Sequence, residues 1–239
     1  MTISPPDQLE ELYTRIHTES CSSIINEGVH PDRYLRHPAT DRRFGLTLLV
    51  EIDRILSESM CSIGEEIKMI EPEQYYYPAT DLHVTVLDLV GAHEGFRCDE
   101  REIGIFSSMV VDAVKEVEPF DILFKGLILS PTGVLVKGYY REGLPVLREL
   151  LRREAGNRRV DMRERYQSIT AHASLMRYSS PVADREQLLR FMEKNRDRTI
   201  GLVTVRSCTL VIHDWYNRRK EVVGRFALRG GALNAGFFR

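Results

Sequence analysis

The sequence predicts an α+β fold built from two related lobes, and three observations support it. Apolar runs of strand length alternate with helical patterns along the whole chain. The order strand, helix, loop, polar strand occurs twice, over 44–90 and again over 134–178. In both copies the polar strand carries a histidine followed two positions later by a hydroxyl residue. An internal duplication of this kind predicts that the two polar strands occupy related places in the fold.

The composition is that of a globular protein. The 239 residues suit one large domain or two small lobes, and 43% hydrophobic with 28% charged residues argues against disorder. A formal net charge of −2 excludes a broadly basic nucleic-acid-binding surface. Over 141–165, however, eight arginines stand against five acidic residues, which is typical of a solvated helical face or of a local attraction for phosphate.

The cysteines and the amino-terminal sequence indicate the cellular compartment of the protein. The four cysteines lie far apart without a C-x-x-C motif, which favours reduced thiols over a zinc knuckle or a disulfide framework. The start "MTISPPDQLEEL" lacks the pattern of a signal peptide, and no stretch approaches the length of a membrane span. We therefore expect a cytoplasmic protein that makes no membrane contact.

The first part of the chain is predicted to hold a helix, a loop and the first lobe. After Pro5 and Pro6, "QLEELYTRIHTESCSSIINEG" has helical spacing and ends near Gly28, and "VHPDRYLRHPATDRR" has the composition of a loop. We treat 1–43 as a helical extension and 44–239 as a single two-lobed domain. The first lobe then contains the strand "FGLTLLVEI", a helix from "DRILSESMCSIGEEIKMI" capped by Asp53, the punctuating "EPEQYYYPAT" and the strand "DLHVTVLDLV".

The second part repeats this order and adds a terminal strand pair. A helix around "EIGIFSSMVVDAVKEV" precedes the strands "FDILFKGLIL" and "VLVKGYY", which are joined by the turn "SPTG". Next come a helix "GLPVLRELLRREAG" that stops at Gly156, a polar strand "RYQSITAHASLMRY" and a capped helix in "SPVADREQLLRFMEKN". The segment "TIGLVTVRSCTLVIHDWYNRRKEVVGRFAL" is predicted to form two long strands joined at "DWYNRRK".

The polar strands carry the candidate site. His83 precedes Thr85 by two positions and His172 precedes Ser174 by two, so each pair shares one face of its strand. A single such pair would be unremarkable, since a core histidine with satisfied ring nitrogens is a common structural feature. None of the other five histidines has Ser or Thr two positions later, and the two motifs fall at matching places in the repeat. Chance is therefore a poor explanation of the pair.

The paired motifs resemble the signature of the two-histidine phosphoesterase superfamily, which includes the RNA 2′,3′-cyclic phosphodiesterases once called 2′-5′ RNA ligases. The resemblance covers most of 44–228. It implies a bilobal fold in which two antiparallel sheets face a central cleft, with helices outside and one motif contributed by each sheet. It also implies that His172 is the base and His83 the acid, although the residues by themselves leave the reverse assignment open.

The chemistry of these residue types agrees with that resemblance. Opening a cyclic phosphate with water needs a base for the nucleophile and an acid for the departing ribose oxygen, and two imidazoles supply both. Thr85 and Ser174 can donate hydrogen bonds to the non-bridging phosphate oxygens. We expect both histidines to project from central strands into one accessible space. No metal or cofactor is required; a zinc site built from His83, His172 and other histidines is the alternative, but no H-x-x-H or H-x-x-x-H grouping and no nearby carboxylate pair supports it.

Other residues are candidates for substrate contact. An arginine could bind phosphate and a tyrosine could stack on a base, while unpartnered surface arginines and packing tyrosines are the alternatives. The candidates are Arg42, Arg43, Tyr77, Arg177 and Tyr178. The absence of G-x-S-x-G, G-x-G-x-x-G and the P-loop motif argues against a serine hydrolase and the usual nucleotide-binding loops.

The predicted function is that of a metal-independent phosphodiesterase acting on a 2′,3′-cyclic phosphate at an RNA end or on a small nucleotide, as a monomer. Two alternatives stay open. One is a 2′-5′ phosphodiesterase or ligase that acts on oligonucleotides. The other is a module that binds a nucleotide or an RNA end without turning it over, for which two histidines would not be needed.

Overall fold

The computed structural model describes residues 7–162, 164 and 167–230. Pro5, Pro6, Arg163, Arg165, Tyr166 and 231–239 lie outside the described residues. The helices are α1 Asp7–Asn26, α2 Arg33–Arg36, α3 Arg54–Lys68, α4 Glu100–Val114, α5 Gly143–Arg158 and α6 Arg185–Lys194. The strands are β1 Arg43–Glu51, β2 Tyr75–Tyr76, β3 His83–Glu94, β4 Phe120–Ser130, β5 Gly133–Tyr139, β6 Ala173–Arg177, β7 Thr199–Val205, β8 Ser207–Asp214 and β9 Lys220–Ala227.

The strands form two antiparallel sheets, as expected for the predicted α+β bilobal fold. The first sheet has the order β3-β1-β8-β9 and the second has the order β2-β6-β5-β4-β7. Alternate side chains of the central strands are apolar and buried, since Leu46 and Leu48 of β1 and Leu127 and Leu129 of β4 have no exposed surface. The predicted fold class is confirmed.

The two copies of the repeat have the same local topology. In the first copy β1 pairs with β3, and in the second β5 pairs with β6, each time after an intervening helix. The helices cross between the lobes: α3 follows β1 but packs against β6 and β7, whereas α5 follows β5 but packs against β3 and α4. Helix α3 therefore braces the second sheet, and α5 contacts β3 of the first sheet as well as β4 of the second, so both helices bridge the two lobes.

Helix starts agree with the capping residues in the sequence. The Asp53 side chain accepts a hydrogen bond from the backbone N–H of Leu56, at the start of α3. Asp99 and Glu102 form a reciprocal capping box at the start of α4. Among the described residues, no helix is both long enough and apolar enough to cross a membrane.

The first helix packs against the second sheet. Tyr13 of α1 is fully buried, and its hydroxyl donates to the carbonyl of Gly138 at 3.0 Å. The same hydroxyl accepts from the backbone N–H groups of Gly138 and Ala171, each at 3.2 Å. Within the segment predicted as a loop, the short helix α2 is followed by a 3-10 turn at Pro38–Thr40.

The strand that carries the second motif is shorter than predicted. It begins at Ala173, so His172 lies directly before β6 rather than within it. The backbone groups of the preceding residues bind side chains instead of a neighbouring strand: the carbonyls of Ile169 and Thr170 accept from Arg148, and Ala171 N–H donates to Tyr13. Side-chain partners of this kind were not visible in the local pattern.

Three further element predictions were wrong. The segment from Thr199 to Asp214 forms two strands in different sheets, because Val205 pairs with Phe120 of β4 whereas Ser207 pairs with Ala227 of β9. No glycine or proline marks this crossing at Arg206. The strand β3 lies at an edge of its sheet rather than at its centre. Helix α5 passes through Gly156 and ends at Arg158, where Arg159 adopts a left-handed conformation with φ of 54°.

Candidate active site

A cleft of about 260 Å³ opens where β3 of the first lobe meets β6 of the second. Its wall contains both histidines and both hydroxyl residues of the paired motifs. The other lining residues are Thr47, Tyr77, Asp81, Asp88, Gly91, Ala92, Thr132, Arg148, Ser168, Thr170, Arg177, His213 and Trp215. The structure therefore brings His83, Thr85, His172 and Ser174 to one cavity from positions nearly ninety residues apart.

The backbone sets the tautomer of His83. Its Nδ1 lies 2.8 Å from the carbonyl oxygen of Asp81, and because a carbonyl only accepts, Nδ1 carries the hydrogen. The Asn217 side-chain amide donates to the same carbonyl at 3.1 Å. Asn217 is buried in the β8–β9 turn with φ of 61°, a conformation that asparagine tolerates. Nε2 of His83 is left for proton exchange.

His172 is held by its own neighbours in the chain. Its Nδ1 lies 2.7 Å from the hydroxyl oxygen of Thr170, again two positions earlier. The segment runs so close to β5 that a Cβ on Gly138 would lie 1.9 Å from the carbonyl oxygen of Ala171. Glycine at that position permits the approach, which places His172 opposite the first lobe.

Strand pairing determines the positions of Thr85 and Ser174. Thr85 lies opposite Leu49 of β1, and Ser174 lies opposite Leu135 of β5. Each points to the same face as the histidine two positions earlier, because successive side chains of a strand alternate. Both hydroxyl residues are partly exposed to the cleft.

Burial disfavours the charged form of both imidazoles. Desolvation, with added repulsion from Arg177, His83 and Arg148, lowers the pKa of His172 to about 3. Desolvation also lowers the pKa of His83, but the Asp81 carbonyl and the Asp88 carboxylate oppose that change, while Lys220 and Arg177 add to it. Of the two rings, His83 is therefore the one with neighbours that partly offset the lowering of its pKa.

A third histidine in the cleft escaped the sequence analysis. The ring of His213, on β8, lies edge to face with that of His83, with centroids 6.1 Å apart. Burial lowers the pKa of His213 to about 3, and its Nδ1 has no hydrogen-bond partner among the described residues. His213 lacks a hydroxyl residue two positions later, so the motif that identified the other two histidines could not identify it.

Two of the five candidates for substrate contact line the cleft. Arg177 of β6 donates from Nε to the hydroxyl of Tyr77 at 3.2 Å and from Nη1 to Thr132 at 2.7 Å. These contacts orient the guanidinium along the same wall as Ser174. The arrangement can present N–H donors to an anion in the cleft.

The other three candidates do not line it. Arg42 is exposed, and Tyr178 is buried in the core with only 1% of its surface exposed. Arg43 binds the Asp41 carboxylate at 2.8 Å and lies over the ring of Trp215 at 4.6 Å. Its charge is therefore used within the fold.

A carboxylate also reaches the cleft. Asp88 accepts a hydrogen bond from the Thr47 hydroxyl at 2.8 Å and has no ion-pair partner within the described part of the chain. The cleft thus has a cationic side at Arg177 and an anionic side at Asp88. Over the same residues, no group of three or more His, Cys, Asp or Glu side chains is arranged to hold a metal ion.

Solved structures share this architecture. TT0787 of Thermus thermophilus matches with a TM-score of 0.58 at 18% identity, over 78% of this chain and 98% of its own. The apo form of Escherichia coli LigT matches with a TM-score of 0.51 at 18% identity, over 79% of this chain and 99% of its own. LigT complexed with 3′-AMP matches with a TM-score of 0.53 at the same identity and the same two coverages.

Sequence comparison adds nothing to this likeness, since no family model and no curated protein matches the chain. The likeness at 18% identity concerns the fold. It extends over nearly the whole length of the matched proteins. The chain therefore shares its fold with TT0787 and LigT.

Proposed function

We propose that the protein is a two-histidine phosphodiesterase that opens a 2′,3′-cyclic phosphate on RNA ends or small nucleotides without a metal. One observation carries the proposal: two imidazoles, each with a hydroxyl residue two positions along, meet in one cleft from two lobes. A nucleotide substrate also agrees with LigT, which has been solved in complex with 3′-AMP. We further propose that the protein acts as a monomer in the cytoplasm.

Substrate binding would divide the roles of the two histidines. An anionic phosphate raises the pKa of an adjacent imidazole. His83 would take the proton, because the Asp81 carbonyl and the Asp88 carboxylate favour its cation. His172 would stay neutral, because Arg177 and Arg148 disfavour a second positive charge beside them.

The reaction then balances with one water. Nε2 of His172 removes a proton from water as its oxygen attacks phosphorus, while its Nδ1–H donates to the Thr170 oxygen. The bond from phosphorus to one ribose oxygen breaks, and Nε2–H of His83 protonates that oxygen. The product is a phosphate monoester, and the two histidines have exchanged their protonation states. The reverse assignment describes the reverse reaction.

The phosphate oxygens would be held by neutral and charged donors. Thr85 and Ser174 donate from the two lobes, and Arg177 adds a guanidinium fixed by Tyr77. These donors stand in place before the reaction, so they stabilise the charge that grows on the non-bridging oxygens in the transition state.

A substrate panel with chelator tests the proposal. Purified protein in excess EDTA is incubated with 2′,3′-cyclic nucleotides, short RNAs with cyclic phosphate ends, and 2′-5′ oligoadenylates, and products are followed by chromatography and ³¹P NMR. We expect a monoester from the cyclic substrates and none from a preparation carrying His172→Gln. Cleavage of the 2′-5′ oligomers alone would favour the 2′-5′ phosphodiesterase. Binding without any turnover would identify a binding module, and loss of turnover in EDTA with recovery on zinc would overturn the metal-independent mechanism.

A further inference from the structure

Arg148 stands apart from the other arginines of α5. Arg152, Arg153 and Arg158 pair with carboxylates at the surface, as expected for a solvated helical face. Arg148 is only 2% exposed and lines the cleft. It therefore lies inside the protein, at the boundary between the lobes.

All of its hydrogen bonds to backbone end on carbonyl oxygens of the two motif segments. Nε donates to Val86 at 2.8 Å, Nη2 donates to Thr85 at 3.0 Å and to Thr170 at 2.7 Å, and Nη1 donates to Ile169 at 2.7 Å. Thr85 and Val86 belong to the first motif strand, and Ile169 and Thr170 come just before His172. One rigid, planar group thus joins the two lobes at the residues beside both histidines.

The guanidinium of Arg148 forms no ion pair within the described part of the chain. The charge of Arg148 acts on the Glu164 carboxylate, but that carboxylate is in contact with Arg152, at 2.8 Å. Carbonyl oxygens satisfy the N–H groups, but they leave a net positive charge in a desolvated place, which is unfavourable for folding alone. An anion in the adjacent cleft would compensate that charge.

We propose that Arg148 is a positioning residue that fixes the spacing of the two motif segments and places a permanent positive charge beneath the phosphate. The inference rests on the proposed function, because it assigns to the cleft an anionic substrate. The charge of Arg148 acts on His172 from α5, together with the charges of Arg177, on the strand that follows His172, and of His83, on the facing strand. Arg148 thus opposes protonation of His172 and attracts the substrate at once.

Two substitutions separate spacing from charge. Arg148→Lys keeps the charge, but its ammonium has only three donors and cannot span four carbonyls. Arg148→Met keeps much of the side-chain length and removes both the charge and the hydrogen-bond donors. Arg153→Met is the control, because Arg153 lies on the same helix with an exposed side chain.

The measurements are the titration of the histidine C2–H signals by NMR, the affinity for inorganic phosphate, and kcat and KM with a cyclic nucleotide. We expect Arg148→Met to raise the His172 midpoint toward the ordinary value, weaken phosphate binding about tenfold or more, and lower kcat about a hundredfold. Arg148→Lys should keep the His172 titration midpoint and the affinity for phosphate, whereas its kcat should fall. The control should match the unchanged protein in every measurement.

The outcomes distinguish this inference from the proposed function. Full kcat in Arg148→Lys overturns the spacing role, and this variant decides the matter if the methionine variant does not fold. An unchanged His172 midpoint and phosphate affinity in folded Arg148→Met overturns the role of the charge. If no substrate of the panel is turned over, the proposed function fails, while titration and phosphate binding still test Arg148.

Discussion

At the scale of single residues, the cleft depends on where protons reside. Both motif histidines are held through Nδ1 by the residue two positions earlier, His83 by the Asp81 carbonyl and His172 by the Thr170 hydroxyl. This leaves Nε2 of each ring for exchange with a substrate. The two rings differ in the charges around them.

Replacing either motif histidine should abolish most turnover. His83→Gln and His172→Gln remove proton transfer, so kcat should fall about 10²–10⁴-fold while circular dichroism and unfolding curves stay close to those of the unchanged protein. His93→Gln is a matched control, because His93 lies on the same strand and its Nδ1 is also 2.8 Å from the carbonyl two residues earlier, that of Gly91. Undiminished turnover in either motif variant would contradict the two-histidine mechanism.

The pH dependence should differ between free and bound protein. The lowered pKa of His83 places the alkaline limb of kcat/KM below pH 6.5, since the acid of the free protein loses its proton there. In the complex the phosphate charge raises that pKa, so the alkaline limb of kcat should lie at higher pH. The limbs belong to the histidines as a coupled pair. If the alkaline limbs of kcat/KM and of kcat fell at the same pH, this would argue against proton uptake on substrate binding.

His213 should make the fold acid-sensitive. In the unfolded protein the His213 ring binds a proton below about pH 6.5. In the folded protein burial lowers the pKa of His213 to about 3, so the ring stays neutral down to that pH. Stability is therefore unaffected above pH 6.5 and falls as the pH decreases from 6.5 toward 3. In His213→Asn, the free energy of unfolding in urea should change less between pH 7.5 and pH 5. Equal changes in the two proteins would show that His213 does not titrate on unfolding.

At the scale of elements, Arg43 joins the start of β1 to the β8–β9 turn. Its guanidinium binds Asp41 at 2.8 Å and the Tyr216 hydroxyl at 3.0 Å. The Asp41 side chain is fully buried, so it depends on this partner. The turn also carries Asn217, which meets the carbonyl that orients His83.

Arg43 and Arg177 should therefore respond differently to the same substitution. Arg43→Met leaves a buried carboxylate unpaired, so the free energy of unfolding should fall by about 3 kcal/mol with kcat largely retained. Arg177→Met should instead raise KM and lower kcat, with little loss of stability, because its side chain is part of the cleft wall. Urea unfolding and steady-state kinetics on both variants check the contrast. A catalytic defect in stable Arg43→Met would show that this arginine contacts substrate.

At the scale of the whole molecule, the fold is two antiparallel sheets with helices outside them, and the first helix lies on the second sheet. The matched structures are covered almost completely by 78–79% of this chain, so a fifth of the chain has no counterpart in them. Helix α1 packs on β4, and Tyr13 connects it to β5 and to the residue before His172.

Removing one hydroxyl should test that connection. Tyr13→Phe leaves backbone groups of Gly138 and Ala171 without their partner, so stability should fall by about 1–3 kcal/mol. Tyr34→Phe makes the same change at an exposed hydrogen bond to Glu94 and should have almost no effect. Equal unfolding free energies for the two variants would mean that α1 contributes nothing through Tyr13.

The sequence alone predicted the features that depend on near neighbours. Strand and helix periods, the cap at Asp53, and the spacing of His83 to Thr85 and of His172 to Ser174 are all local, so they can be read along the chain. The duplicated order of elements was equally accessible, because a repeat shows itself in the sequence.

Only the tertiary structure decided which side chains meet. Nothing near Arg148 in the sequence indicates that its four acceptors lie on both motif segments, since two of them are more than sixty positions away. The same holds for Arg43, whose partner Tyr216 comes from the far end of the chain, and for the change of sheet at Arg206. Hydrogen bonds and burial depend on how close residues lie in the folded protein, whatever their separation along the chain. Residues distant along the chain thus acquire their roles only when the two sheets pack and exclude water between them.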